Sequence, residues 1–304
     1  MRTLPARSAI LAACLSLGAC DDAAVDQDPI TEADVTVRLR GVDFVRFEGG
    51  RFTMGRVGDD FAEPPMVVTV PPFLIMKTEV TFGMYRACVQ DGACTWSAPR
   101  STWGCIYELA SAIGPGADQY PMNCATWDDA QAFVRWFGEG VRLPSEAEWE
   151  FAATGGVGRP YPWGSEPATC DRVVRSADGP RDDGAPCVST VQPVCSRPAG
   201  NTPPPRVLCD MAGNVGELVE DDFHPTYDCS TYPLNADYPE WCAQRASIPA
   251  DGRPWVDSPR VPAYRMARGG GYTWSDAFRT TRRDVGGTNS TSRISGFRLA
   301  RDAP

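Results

Sequence analysis

Ten cysteines lie between residues 88 and 242 of this 304-residue chain, and they constrain its fold more than any other feature. An even number of closely spaced cysteines favours disulfide bonds in an exported protein. Many connectivities are open to ten cysteines, and the short spacings favour bonds between neighbours. Each bond would stabilise the fold by about 2–4 kcal/mol by restricting the unfolded chain. The favoured pairs are Cys88–Cys94, Cys105–Cys124, Cys170–Cys187, Cys195–Cys209 and Cys229–Cys242.

Zinc ligation is the alternative use of these cysteines. The chain has no C-x-x-C pair, in which two residues separate the cysteines, and His224 is its single histidine. Structural zinc sites are built from closely spaced cysteine and histidine pairs, so this pattern argues against zinc. The 29 glycines and 28 prolines predict a domain in which loops outweigh helices and strands.

The N-terminus predicts export and attachment to a membrane. Residues 1–7 are basic, and residues 8–19 are apolar but too few to cross a bilayer as a permanent helix. Leu17 to Cys20 resembles a bacterial lipobox, which predicts a signal peptide over 1–19, lipidation of Cys20 and a location in the cell envelope. A plain secretory signal peptide is the alternative. An acidic tether over 20–40 and one domain over 41–304 complete the predicted organisation.

Charge argues against one class of partner. The chain has 39 acidic and 29 basic side chains, which gives a formal net charge of −10. A field of this sign repels nucleic acid, and no basic cluster offsets it.

Local patterns predict a small number of regular elements. Apolar and polar residues alternate over 41–56 around two glycines, which indicates two strands joined by a turn. Further strands are predicted over 67–70 and 73–76, and a helix is predicted after Thr81. Capping boxes at Thr126 and Ser145 predict two more helices. Residues 155–208 are rich in turn-forming residues and predict a long loop region.

Several short blocks, in a fixed order, resemble the formylglycine-generating enzyme (sulfatase-modifying factor) family. The resemblance covers about residues 41–303 and implies an α+β fold like that of C-type lectins, with little regular secondary structure. The blocks are 49–55 (GGRFTMG), 77–81 (KTEVT), 121–130 (PMNCATWDDA), 142–150 (RLPSEAEWE), 161–164 (YPWG), 210–217 (DMAGNVGE) and 296–298 (GFR).

The resemblance also implies a calcium site on the loop from residue 210 to residue 217. The side chains of Asp210 and Glu217 and the carbonyls of Gly213 and Val215 match the family's ligands, and such oxygen donors suit Ca²⁺. A solvated acidic turn is the alternative. A second calcium site would fall near Asp171 and the acidic segment 178–183.

The family's oxidases bind copper through two cysteines, and neither cysteine is present in this chain. Their positions correspond to Trp274 and to the neighbourhood of Arg279, and no cysteine follows Cys242. Copper(I) prefers soft thiolate ligands, so no copper is expected. A related iron-dependent branch needs at least two histidines. His224 alone excludes that site and is expected at the surface.

The remaining motif residues are expected to support the fold. Tryptophans 127, 149 and 163 are predicted to lie in the core. Arg142, Glu148, Glu150 and Arg298 are predicted to form internal ion pairs.

The sequence therefore predicts a non-catalytic binding or assembly module for a peptide, protein or glycan at the envelope. One alternative is an enzyme of another class on the same fold, with acid–base groups drawn from Ser275 and Asp276 or from 282–284. Others are a sulfatase-modifying oxidoreductase with a non-standard site and a purely structural envelope protein.

Overall fold

The structure is a computed structural model, and a defined set of residues is described here. The described residues are 31–59, 61–96, 104–176, 187–233, 236, 239–257, 260, 264–273, 278–287 and 292–304. Cys20, the predicted signal peptide, Trp274 to Asp276 and the acidic segment 178–183 lie outside them.

Short helices and strands alternate with long irregular segments, as the composition predicts. The helices are α1 (Glu32–Val35), α2 (Phe82–Gln90), α3 (Ile106–Ile113), α4 (Trp127–Phe137) and α5 (Glu146–Thr154). The strands are β1 (Thr36–Leu39), β2 (Val42–Phe47), β3 (Gly50–Met54), β4 (Met66–Val70), β5 (Phe73–Met76), β6 (Gly216–Asp222), β7 (Tyr264–Arg268), β8 (Arg283–Gly287), β9 (Ser295–Phe297) and β10 (Ala300–Asp302). No described helix is long and apolar enough to cross a membrane.

The strands form two four-stranded sheets and a hairpin. The first sheet has the antiparallel order β1-β2-β5-β10, and β3 pairs with β4 as the hairpin. The second sheet has the order β8-β7-β6-β9, in which β6 and β9 run parallel. This mixture of helices, strands and long loops confirms the predicted α+β class.

The first sheet separates two apolar clusters. Val45 and Ile75 point to the cluster that holds Trp149 of α5, whereas Phe44 points to the cluster that holds Phe133 of α4. Successive strand residues face opposite sides of a sheet, so β2 and β5 supply both clusters. This explains why all four residues of β5 are buried.

Both predicted capping boxes are present. Thr126 Oγ1 accepts from the Asp129 amide at 3.0 Å, and the Asp129 carboxylate accepts from the Thr126 amide. Ser145 and Glu148 exchange the same two bonds at the start of α5, at 3.1 and 2.8 Å. The strands predicted over 41–56, 67–70 and 73–76 are also confirmed.

Disulfides join neighbouring cysteines at five places along the chain. The pairs are Cys88–Cys94, Cys105–Cys124, Cys170–Cys187, Cys195–Cys209 and Cys229–Cys242.

The tether prediction is wrong for residues 31–40. Strand β1 pairs with β2, with Thr36 opposite Val45, and Val35 is only 5% exposed. Val35 belongs to the first apolar cluster, so residues 31–40 are part of the folded domain. Acidic residues on α1 concealed this apolar contact in the sequence.

Candidate functional site

The segment from residue 210 to residue 217 carries the predicted calcium ligands and has a constrained backbone. Asp210 and Asn214 have φ angles of +56° and +58°, which are uncommon for residues other than glycine. Gly213 has φ +80°, and a Cβ there would lie 2.4 Å from a side-chain carbon of Val173. This position therefore requires glycine for both conformation and space.

Asp210 is held at the start of this loop by a disulfide and by a backbone amide. Cys209 is bonded to Cys195, and the Cys195 amide donates a 2.6 Å hydrogen bond to Asp210 Oδ2. Burial raises the pKa of Asp210 to about 6, although the Cys195 amide and Arg298 act in the opposite direction. The negative charge of Glu217 adds to the rise.

Glu217 forms a buried two-point ion pair with Arg298. Arg298 Nε and Nη2 donate to the two carboxylate oxygens, each at 2.6 Å, and the Trp149 indole donates at 2.8 Å. All three side chains are fully buried. Burial alone would lower the pKa of Arg298, but Glu217 holds it above its ordinary value. The ion pair predicted for Arg298 and the core position predicted for Trp149 are confirmed.

Glu79 is a third buried carboxylate at this place. Burial raises its pKa well above the ordinary value, and the charges of Asp210 and Glu217 raise it further. Asn214 Nδ2 donates to Glu79 Oε2 at 3.3 Å, whereas Oε1 has no hydrogen-bond partner among the described residues. Sequence reasoning missed Glu79, although a single acid directly after the apolar strand β5 was an available signal.

The charge of this cluster suits a divalent cation. The carboxylates of Glu79, Asp210 and Glu217 interact with one another, and Arg298 forms an ion pair with one of them, Glu217, while Arg197 acts on Asp210 from farther away. Ionised together, the three carboxylates carry excess negative charge. A buried excess charge is costly unless it is neutralised.

The side chains alone do not complete the coordination that calcium requires. An ionised carboxylate has about four acceptor sites, and Glu217 accepts three hydrogen bonds. No three acidic, histidine or cysteine side chains form a metal site within the described residues. Calcium here would therefore depend on main-chain oxygens such as those of Gly213 and Val215.

The second predicted calcium site is only partly described. Asp171 is exposed in the turn that follows Cys170. Its proposed companions, residues 178–183, lie outside the described residues.

Arg279 lies in a row of stacked side chains. Its guanidinium carbon lies 5.7 Å from the centre of the Tyr161 ring, and Tyr161 stacks on Trp163 at 5.1 Å with an angle of 2°. The Arg172 guanidinium carbon lies 6.0 Å from the centre of the Trp163 ring. A cation–aromatic stack of this kind contributes about 0.5–1 kcal/mol where it is exposed. Trp163 is half-buried rather than a full core residue.

Arg268 holds the main chain at Thr280, directly after Arg279. Arg268 Nη1 donates to Glu146 at 2.8 Å, and Nη2 donates to Glu150 and to the Thr280 carbonyl. Glu150 therefore forms the internal ion pair that was predicted for it, with Arg268. Arg142 pairs with Glu148 through two 2.6 Å hydrogen bonds, as predicted.

The arginines considered for acid–base chemistry already have partners. Arg283 is fully buried and donates to Glu146 at 2.6 and 3.0 Å. Arg282 pairs with Asp284 at 3.2 Å.

The surface position predicted for His224 is wrong. His224 is 2% exposed, stacks on Trp255 at 3.7 Å and lies 3.2 Å from Asp257 Oδ1. Neighbouring acids in the sequence suggested solvent, but Asp222 accepts from the Asp257 amide at 2.9 Å and is itself buried.

An α+β domain with a strained acidic loop, buried arginine–carboxylate pairs and short-range disulfides defines the class of this protein. A model of the sulfatase-modifying factor enzyme 1-like domain matches residues 31–303. The chain belongs to this family.

Two relatives and one solved structure illustrate the range of similar proteins. The chain is 31% identical to a formylglycine-generating enzyme of Streptomyces coelicolor, over 85% of this chain and 89% of that one. It is 31% identical to inactive Cα-formylglycine-generating enzyme 2 of Bos taurus, over 60% and 71% of the two chains. The structure of PvdO from Pseudomonas aeruginosa has a TM-score of 0.60 at 23% identity and covers 86% and 95%.

Proposed function

We propose that this chain is a binding or assembly module that has the family's fold and does not oxidise cysteine. The single observation that carries the proposal is that its cysteines form disulfide bonds. All ten cysteines from Cys88 to Cys242 are in disulfides, and no cysteine follows Cys242. Copper(I) needs thiolate ligands, so these residues do not fit the family's metal.

A side chain near the second cysteine position supports the same conclusion. Arg279 is a permanent cation, and its guanidinium stacks on Tyr161. A positive charge repels a copper ion, whereas it attracts the carboxylate or backbone carbonyls of a bound chain. One relative is named a formylglycine-generating enzyme and another an inactive one, so family membership alone does not decide the activity.

The location and metal in this proposal follow from the sequence and from the acidic cluster. Lipidation at Cys20 would place the domain at the cell envelope, where the partner is a peptide, protein or glycan. Calcium bound by Asp210, Gly213, Val215 and Glu217 would neutralise the buried excess charge.

An oxidation assay tests the lack of activity. The purified protein is incubated with copper, oxygen and a cysteine-containing peptide, and formylglycine is followed by mass spectrometry. We expect no conversion by the natural sequence. The double variant Trp274→Cys/Arg279→Cys is the matched comparison, and we expect it to bind copper. Stoichiometric copper and peptide oxidation by the natural sequence would overturn the proposal.

Metal analysis tests the calcium site. We expect the purified protein to contain calcium without stoichiometric copper or iron. Asp210→Asn should lose this calcium, whereas Asp251→Asn, a substitution at an exposed acid, should retain it. Equal calcium content in both variants would place the ion elsewhere.

Membrane fractionation tests the anchor. We expect the natural sequence to label with fatty acid and to sediment with membranes. Cys20→Ser should do neither, and equal labelling of both would contradict lipidation at Cys20.

A further inference from the structure

A cavity lies between the C-terminal end of α5 and the turn that joins β2 to β3, away from the candidate site. It has a volume of about 280 Å³, and none of its lining residues belongs to the acidic cluster or to the row around Arg279. Residues 202–206, which include three consecutive prolines, close its other side.

The interior of this cavity is partly aromatic. Phe47 and Phe151 both line it, are 3% and 8% exposed, and meet edge to face with ring centres 6.3 Å apart. Rigid rings and prolines lose little entropy when a ligand packs on them. These walls suit the flat or apolar part of a small molecule.

Arg206 provides one charged group. Its guanidinium lies over the Phe47 ring at 5.7 Å, and its Nε donates to the Arg46 carbonyl at 2.8 Å. These contacts fix the plane of the guanidinium, and its terminal amino groups form no ion pair with a carboxylate in the described part of the chain. Thr202 Oγ1 donates to the Arg206 carbonyl at 2.6 Å and fixes the main chain.

Arg159 provides the other charged group. Its guanidinium lies against Gly155, where a Cβ would come within 3.2 Å of Nη1. Gly155 ends α5 with φ +64°, so both conformation and space favour glycine at this position. The Arg159 carbonyl accepts from Thr280 Oγ1, which anchors its main chain. Across the described residues, Arg159 has no carboxylate partner within ion-pair distance.

The local charge of the cavity is opposite to that of the whole chain. Glu48 also lines the cavity, but Arg46 binds it at 2.8 Å. Arg159 and Arg206 form no ion pair with described residues, and Glu48 is the one acid in the lining, so the lining carries a net positive charge although the whole chain has a net charge of −10. Two guanidinium groups without an ion-pair partner among the described residues favour an anionic ligand in this concavity, because each can donate two parallel hydrogen bonds.

We propose that this cavity binds a small organic anion, in which a carboxylate or phosphate group is attached to an apolar ring. The anionic group pairs with Arg159 and Arg206, and the ring packs on Phe47 and Phe151. The volume is slightly below the range of about 300–1,000 Å³ that is typical of ligand pockets, so the ligand is of single-ring size.

Calorimetric titration of the purified protein tests this site with three probes of similar size. Benzoate and phenyl phosphate carry the two anionic groups, and benzyl alcohol is the neutral comparison. We expect saturable binding of at least one anion and none of the alcohol. Binding of benzoate alone assigns a carboxylate ligand, and binding of phenyl phosphate alone assigns a phosphate ligand.

Substitutions locate the binding. Arg159→Gln should weaken anion binding about tenfold or more, because it removes a charge-assisted pair without breaking any side-chain hydrogen bond to described residues. Arg206→Gln should have a similar effect, whereas Arg51→Gln, at an exposed arginine outside the cavity, should not. Circular dichroism confirms that each variant is folded. Failure of both anions to bind, or equal binding by Arg159→Gln and the natural sequence, would overturn the proposal.

Discussion

At the scale of single residues, buried arginine–carboxylate pairs join distant parts of the chain. Arg298 meets Glu217, and Arg268 meets Glu150, with every side chain buried. Such a pair need not add stability compared with apolar residues, because both charges lose water. Removing one partner is costly, since the other charge is left buried without compensation.

Glu146 is the clearest test of this principle, because it pairs with both Arg268 and Arg283. Burial alone would raise the pKa of Glu146, but the two arginines hold it below its ordinary value. Glu146→Gln should lower the free energy of unfolding by about 3–5 kcal/mol at pH 7, measured by urea denaturation. Asp43→Asn, in the exposed pair with Arg38, should change it little.

The direction of the pH dependence follows from the lowered pKa. The Glu146 carboxylate contributes its stability above the unfolded pKa, near 4.5, and loses it as the pH falls through the folded pKa. The difference between the natural sequence and Glu146→Gln should therefore be largest at neutral pH and shrink below pH 4.5. A difference that grows in acid would contradict the assignment of Glu146 as the ionised partner.

At the scale of elements, capping residues determine where the helices that support the site begin. Helix α5 is nine residues long, and its capping box satisfies two amides at its start. Ser145 Oγ also donates to the Gly252 carbonyl at 2.7 Å. Ser145→Ala should therefore lower the unfolding free energy by about 1–2 kcal/mol in thermal or urea denaturation.

The short helix α1 provides a matched comparison for Ser145→Ala. The Asp34 carboxylate accepts from the Thr31 amide and hydroxyl, each at 2.8 Å, but α1 has four residues and its cap is exposed. Thr31→Ala should have a much smaller effect. Equal losses in the two variants would show that burial of the cap does not matter.

The elements that the sequence predicted are those with short-range signals. Alternation predicted β2 and β3, and capping boxes predicted α4 and α5. Strand β6 was missed because Glu217, Glu220 and its two terminal aspartates suggest an exposed turn. In the fold, arginines distant in sequence or main-chain amides pair with these acids, including Arg260 with Asp222 at 2.9 Å. A local sequence pattern cannot indicate partners that are distant in the chain.

The same limit applies to the candidate site. One short block predicts Asp210 and Glu217 as calcium ligands, but the third carboxylate, on Glu79, comes from a segment more than one hundred residues earlier. The acidic neighbours of His224 predict a surface position, whereas the fold buries this side chain. Both outcomes depend on tertiary contacts.

At the scale of the whole molecule, disulfides hold the long loops in place of regular structure. Cys195–Cys209 and Cys229–Cys242 close loops of almost equal length, with separations of 14 and 13 residues. Chain entropy therefore assigns each bond a similar stabilisation of about 3 kcal/mol. Their positions differ, since Cys209 precedes Asp210 whereas Cys229 and Cys242 belong to the first apolar cluster.

This difference in position predicts different responses to calcium. Cys195→Ser/Cys209→Ser should lower both the melting temperature and the calcium-induced rise in it, because the disulfide and the Cys195 amide hold Asp210 in place. Cys229→Ser/Cys242→Ser should lower the melting temperature by a similar amount and keep the calcium response. A bound ion stabilises only the fold that contains its site, so scanning calorimetry with calcium or a chelator separates the two effects. Equal calcium responses in the two double variants would show that the Cys195–Cys209 bond does not organise the calcium loop.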